Sequence, residues 1–232
     1  MIGSRQILRS ALLQALAFNL TFFVQELFLV LPKALTPGLR PTLFHNNHTW
    51  QGDSPLASLF QGTGALAIFL LGLGCALFGR RSLFWLWMAF DGLFQSLTQV
   101  VLTPVFPGSD VGLAMSFFGL GATARAALVV AAVLAMVFAS RWFARRLPGS
   151  FFAAGLLALL LVIPFRVPRE LLEVAVFPAL VTVPGLLCIQ LWTLGVAREP
   201  VPESNSIGLP LLALLALLLV FQLLLRPGIR FY

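Results

Sequence analysis

The chain has 232 residues, of which 59% are hydrophobic and only 10% charged, with a mean hydropathy of +0.98. A soluble domain carries about 25% charged residues, so this composition excludes a water-facing surface and makes lipid the solvent. The net charge of +7 would suit nucleic acid, but the basic residues fall in short segments between apolar runs, which is the pattern of topology signals and excludes a nucleic-acid partner.

A helix needs about 20 apolar residues to cross the hydrocarbon. Runs near 10–32, 56–79, 83–105, 111–139, 150–164, 172–195 and 208–226 predict an all-α, polytopic helical bundle in one transmembrane domain. The count is seven spans, or six if the short run 150–164 does not fully cross. Arg5 and Arg9 precede the first run like a signal peptide. That run is long, contains Gln25 and Glu26, and lacks a small-x-small cleavage site, so it reads as a retained span.

The first span carries Asn19 and Glu26, seven apart and so on one face. A charge at membrane depth costs about 2.5–3.5 kcal/mol on insertion scales and needs a reason. After this span comes the longest polar loop, 33–55, with both histidines. His45 and His48, with Asp53, form the only cluster with metal-ligand chemistry. It lacks a third histidine and an H-E-x-x-H motif. Phe44 and Trp50 among several prolines suggest that the loop is an ordered cap on the external mouth of the bundle.

The second span holds Gln61 near its outer end. Its glycines, Gly62, Gly64, Gly72, Gly74 and Gly79, predict close helix packing. On the third, Asp91, Gln95 and Gln99 fall at i, i+4 and i+8, with Thr98 beside them, in one polar stripe. The fourth holds Arg125. Counted from the cytoplasmic ends, Arg125 and Glu26 share a depth, which predicts that they pair. Asp91 lies closer to the cytoplasm and is left without a cationic partner.

Beyond the fifth run, Pro168, Arg169, Glu170 and Glu173 read as the start of a helix. Pro178 and Pro184 should kink the sixth span. The segment 198–207 is a polar linker. Arg80, Arg81, Arg141, Arg145, Arg146 and Arg198 fall on the same side as Arg5 and Arg9, which predicts a cytoplasmic N-terminus and an inner-membrane location.

Neither Cys75 nor Cys188 sits in a C-x-x-C motif, no nucleotide-binding glycine pattern is present, and no cofactor is expected. Three functions fit. The first is a permease-like or lipid- or solute-handling protein with Glu26, Asp91, Gln95, Gln99, Arg125 and Gln61 lining a polar cavity. The second is a membrane-embedded, metal-assisted hydrolase using the His45/His48 loop. The third is a non-catalytic subunit of a larger membrane complex or homo-oligomer.

Overall fold

The computed structural model describes residues 3–45, 47–79, 81–167, 172–197, 199–201 and 205–232. Asn46, Arg80, the charged segment Pro168–Glu170, Arg198 and part of the 198–207 linker lie outside the described residues, and the Glu173 side chain is likewise not described.

In chain order the elements are α1 (Ser4–Ala34), β1 (Arg40–Leu43), β2 (His48–Gln51), α2 (Leu56–Phe78), α3 (Leu83–Leu102), α4 (Asp110–Phe117), α5 (Ala122–Arg146), α6 (Phe151–Arg166), α7 (Phe177–Trp192), α8 (Gly208–Leu219) and β3 (Ile229–Arg230). A π-helical turn, Leu172–Val176, leads into α7, and another, Val220–Leu225, continues α8. Five helical stretches are long and apolar enough to cross a membrane: Ser4–Ala34, Leu56–Phe78, Ala122–Arg146, Val174–Trp192 and Gly208–Leu225. α6 is apolar but has only 16 residues. These helices are compatible with a multi-pass membrane bundle.

α1 is the central helix and packs against α2, α3, α6 and α8. Its inner end is fixed by Trp87, whose Nε1 donates to Ser10 Oγ at 3.1 Å. Trp87, Phe90, Phe94 and Phe143 form a buried aromatic stack, with the Phe90 and Phe94 rings 4.7 Å apart. Meanwhile Leu70, Leu77, Val130, Phe138, Leu160, Leu191 and Leu223 point outward. Large apolar side chains around the whole periphery suit lipid and not water.

α2 and α3 meet backbone to backbone. A Cβ on Gly72 would stand 2.7 Å from Leu93 N, and one on Gly92 would stand 2.6 Å from Ile68 O. Small residues let helices approach this closely. Gly74, by contrast, faces open space.

One expectation is corrected here. The run 111–139 is not one helix: α4 ends at Phe117, and Gly119, at φ +63°, turns the chain before α5 begins at Ala122. Only glycine takes that backbone conformation without steric cost, so the break is written at Gly119. Pro178 follows directly on the π-helical turn Leu172–Val176, and Pro184 lies within α7. Within the 33–55 loop, β1 and β2 pair antiparallel with Pro41 opposite Trp50. β3, from the far end of the chain, pairs with the other edge of β1 to give sheet order β2-β1-β3. The C-terminal strand therefore lies on the same side of the bundle as the hairpin.

Candidate polar cavity under the hairpin

A cavity of about 790 Å³ opens beneath the β1–β2 hairpin. Its polar lining comes from Gln25 and Glu26 on α1, His48 on β2, Gln61 on α2, Gln95, Thr98 and Gln99 on α3, Asp110 at the start of α4 and Arg166 at the end of α6. Leu102, Phe106, Phe177 and Val181 form its apolar side.

The hairpin is tied to α1 by a chain of polar contacts. His48 Nδ1 lies 2.9 Å from Glu26 Oε2, and His48 Nε2 lies 3.1 Å from Lys33 Nζ. Lys33 is fully buried and also donates to Leu29 O and Gln61 Oε1, each at 3.0 Å. As an ammonium, Lys33 only donates, so Nε2 of His48 accepts and Nδ1 carries the proton that is given to Glu26. The tautomer follows from this network. All three ammonium hydrogens are used, and the buried positive charge is balanced through His48 by Glu26. The Trp50 ring covers the assembly, 4.6 Å from Lys33 Nζ and stacked on His48.

Deeper in, Gln99 Nε2 donates to Gln25 Oε1 at 3.0 Å. Gln95 Nε2, one turn before Gln99, and Thr98 Oγ1, its immediate neighbour, have no hydrogen-bond partner among the described residues, although both residues are more than nine-tenths buried. Buried polar groups are almost always paired, with protein or water, and both of these belong to residues that line the cavity. Arg166 lies across the Phe22 ring at 4.2 Å and the Phe18 ring at 5.4 Å.

Asp110 sits in the combined field of Glu26, His48 and Lys33. Burial, and then repulsion by Glu26, push its pKa up to about 6, against the opposing pull of His48 and Lys33. Both effects disfavour a second negative charge at this end of the cavity.

Of the residues singled out in the sequence, Glu26, Gln61, Gln95 and Gln99 come together on the cavity wall, whereas Asp91 and Arg125 do not. The expected Glu26–Arg125 pair does not form. Arg125 stands in the first turn of α5, with Nε donating to Leu120 O at 2.9 Å and Nη2 to Ser116 Oγ at 3.1 Å. The depth estimate assumed an unbroken helix from 111, and the break at Gly119 removes that premise. Asp91 is fully buried beside the Gly72–Gly92 contact, and neither of its carboxyl oxygens has a partner among the described residues.

The metal-ligand cluster is not assembled. His45 is buried away from the cavity lining, Asp53 is exposed, and both ring nitrogens of His48 are engaged. Among the described residues no three His, Cys, Asp or Glu side chains are grouped to hold a metal ion.

Lys33, Trp50, Asp110 and Arg166 belong to this region without having been singled out as site residues. Lys33 carried a usable signal: it is the only lysine in the chain and stands seven residues after Glu26, on the same helix face. Asp110 and Arg166 carried none, since each reads as an ordinary loop or helix-end charge.

No protein-family model matches the chain, and no curated protein or solved structure matches it either.

Proposed function

We propose that this chain is an integral inner-membrane protein that admits a small polar or amphipathic molecule to the cavity under the hairpin, in a permease-like or lipid-handling role. It crosses seven times, through α1, α2, α3, α5, α6, α7 and α8, with its N-terminus in the cytoplasm. An odd number of crossings is supported by β3, which returns the C-terminal end to the hairpin side, opposite the start of α1. The Arg clusters at 141–146 and 5–9 support the orientation.

The observation that carries the binding role is the pair of unpartnered, buried polar atoms, Gln95 Nε2 and Thr98 Oγ1, on the wall of a cavity large enough for a small ligand. Unlike the unpartnered oxygens of Asp91, these two atoms belong to residues of the cavity wall. A hydrolase centred on His45 and His48 finds no set of metal ligands among the described residues to support it.

The test is to purify the protein from its membrane and identify the molecules it retains by mass spectrometry. Wild type should retain a species that Gln95→Leu and Thr98→Val, folded by gel filtration, do not. Identical extracts from all three would overturn the binding role. The orientation is checked by labelling single cysteines at Asp53 and Arg81, with Cys75 and Cys188 replaced. Only the first should react with an impermeant reagent outside intact cells.

A further inference from the structure

We propose that the molecule this cavity takes is the phosphoethanolamine headgroup of a phospholipid whose acyl chains rest against the exposed rim of Val105, Phe106 and Phe177. This rests on the reading of the cavity as a binding site and names its ligand.

The cavity has two chemically distinct ends. At the hairpin end, Asp110 offers its carboxylate to a cation, while Glu26 is held by His48 and balances the Lys33 charge. Lys33, whose three hydrogens go to Leu29, Gln61 and His48, has none left for a ligand phosphate. At the deep end, Gln95 Nε2 is an unpartnered donor and Thr98 Oγ1 an unpartnered hydroxyl. The Arg166 guanidinium, lying on Phe22, adds positive charge on that side.

The separation of the two ends can be read along the helices. Gln99 bonds Gln25, the neighbour of Glu26, and Gln95 is one turn before Gln99. Phe22, under Arg166, is one turn before Glu26. The donors thus lie deeper than the acids by one helical turn, about 6 Å at 1.5 Å per residue. In phosphoethanolamine an ester oxygen and two methylenes separate phosphorus from nitrogen, a span comparable with that turn.

The order of groups also matches. In the leaflet on the hairpin side, a phospholipid points its chains to the membrane centre, then its phosphate, and its ammonium outermost. The cavity presents donors deep and acids outermost. Its apolar rim carries Val105 at 69%, Phe106 at 44% and Phe177 at 38% exposure, with the Phe106 and Phe177 rings 6.4 Å apart. Exposed apolar groups at the mouth of a polar cavity give acyl chains a place to rest, which a water-soluble solute would not use.

The experiment measures binding to the full-length protein in detergent by native mass spectrometry. Three probes are used: dioleoyl phosphatidylethanolamine, dioleoyl phosphatidylglycerol with the same chains but no ammonium, and water-soluble glycerophosphoethanolamine. The ethanolamine lipid should bind about tenfold or more tighter than the glycerol lipid, as one charge-assisted hydrogen bond warrants. Gln95→Leu and Thr98→Val should each weaken it, and Asp110→Asn should abolish the preference. Equal binding of the two lipids overturns the zwitterion, and so does unchanged binding by folded Gln95→Leu. If Gln95→Leu does not fold, Thr98→Val and Asp110→Asn decide. Glycerophosphoethanolamine binding as tightly as the ethanolamine lipid overturns the lipid source. If the ethanolamine lipid fails while wild type still retains another molecule that Gln95→Leu lacks, this inference falls and the binding role stands. If nothing is retained, both fall.

Discussion

His48 Nδ1 and Glu26 Oε2, 2.9 Å apart, join the β1–β2 hairpin to the central helix. The contact lies between two elements of different kinds, a two-stranded ribbon and a helix. A ribbon of two four-residue strands is marginal alone, so its position depends on this pair, on Lys33 behind it and on β3 beside it.

Removing one member of the pair should therefore cost more than removing the set. Glu26→Gln leaves the buried Lys33 charge without its balance, and breaking one partner of a buried pair typically costs about 3–5 kcal/mol. Adding Lys33→Met should recover much of that loss. Thermal unfolding in detergent of both single variants and the double variant checks this. Strictly additive effects would show that the two residues are energetically independent.

The Gly72–Gly92 contact predicts a sharp local sensitivity. Gly92→Ala puts a Cβ within 2.6–2.9 Å of Ile68 O and the Gly72 backbone, which cannot yield as a side chain can. Overpacking of this kind costs about 1–3 kcal/mol. Gly74→Ala, with nothing within 4 Å, should be neutral or slightly stabilising. A comparison of the two melting temperatures decides it, and equal behaviour would mean that α2 and α3 do not meet there.

Asp110 predicts a pH dependence with a definite sign. Its folded pKa, about 6, exceeds the ordinary carboxylate value of 3.8. Between these values the folded state holds more protons than the unfolded state, so the contribution of Asp110 to stability falls as pH rises through that window. Asp110→Asn should thus be more stable than wild type at pH 7, and the gap should close below about pH 4. Binding of an ammonium ligand runs the other way. It should strengthen as pH rises through 6, because deprotonation of Asp110 adds a carboxylate to the group it forms with Glu26, His48 and Lys33. Melting curves and ligand titrations at pH 4, 6 and 8 measure both trends.

Arg125 should behave as a local clasp. It ties α5 to the end of α4 through Leu120 O and Ser116 Oγ. Arg125→Gln should cost about 1 kcal/mol, the worth of a partly exposed hydrogen bond, and leave the retained ligand unchanged. Loss of the ligand with the fold intact would place Arg125 in the binding site after all.

Much of this arrangement was legible in the sequence because it depends on local periodicity. Gln95 and Gln99 share a helical face whatever the fold, and Glu26 had to be buried with company. The partner of Glu26 was not legible. Depth along a helix is readable only if the helix is continuous, and a single glycine at 119 broke the count for Arg125. The true partner, His48, comes from a ribbon whose register depends on pairing across the chain, with β3 arriving from residue 229. Such pairing leaves no periodic trace. Asp110 and Arg166 acquire their surroundings only when α4 packs on α2 and α6 on α1.

Lys33 is the only lysine in the chain, and it is completely buried under Trp50. Apart from the amino terminus, it is therefore the one place where an amine-reactive reagent can attach. Acylation requires the amine to meet the reagent, and it cannot do so while Trp50 and the closed hairpin cover it. The rate at which Lys33 is modified is thus a direct clock for hairpin lifting. It can be read from a single peptide mass in native membranes, without introducing a foreign probe.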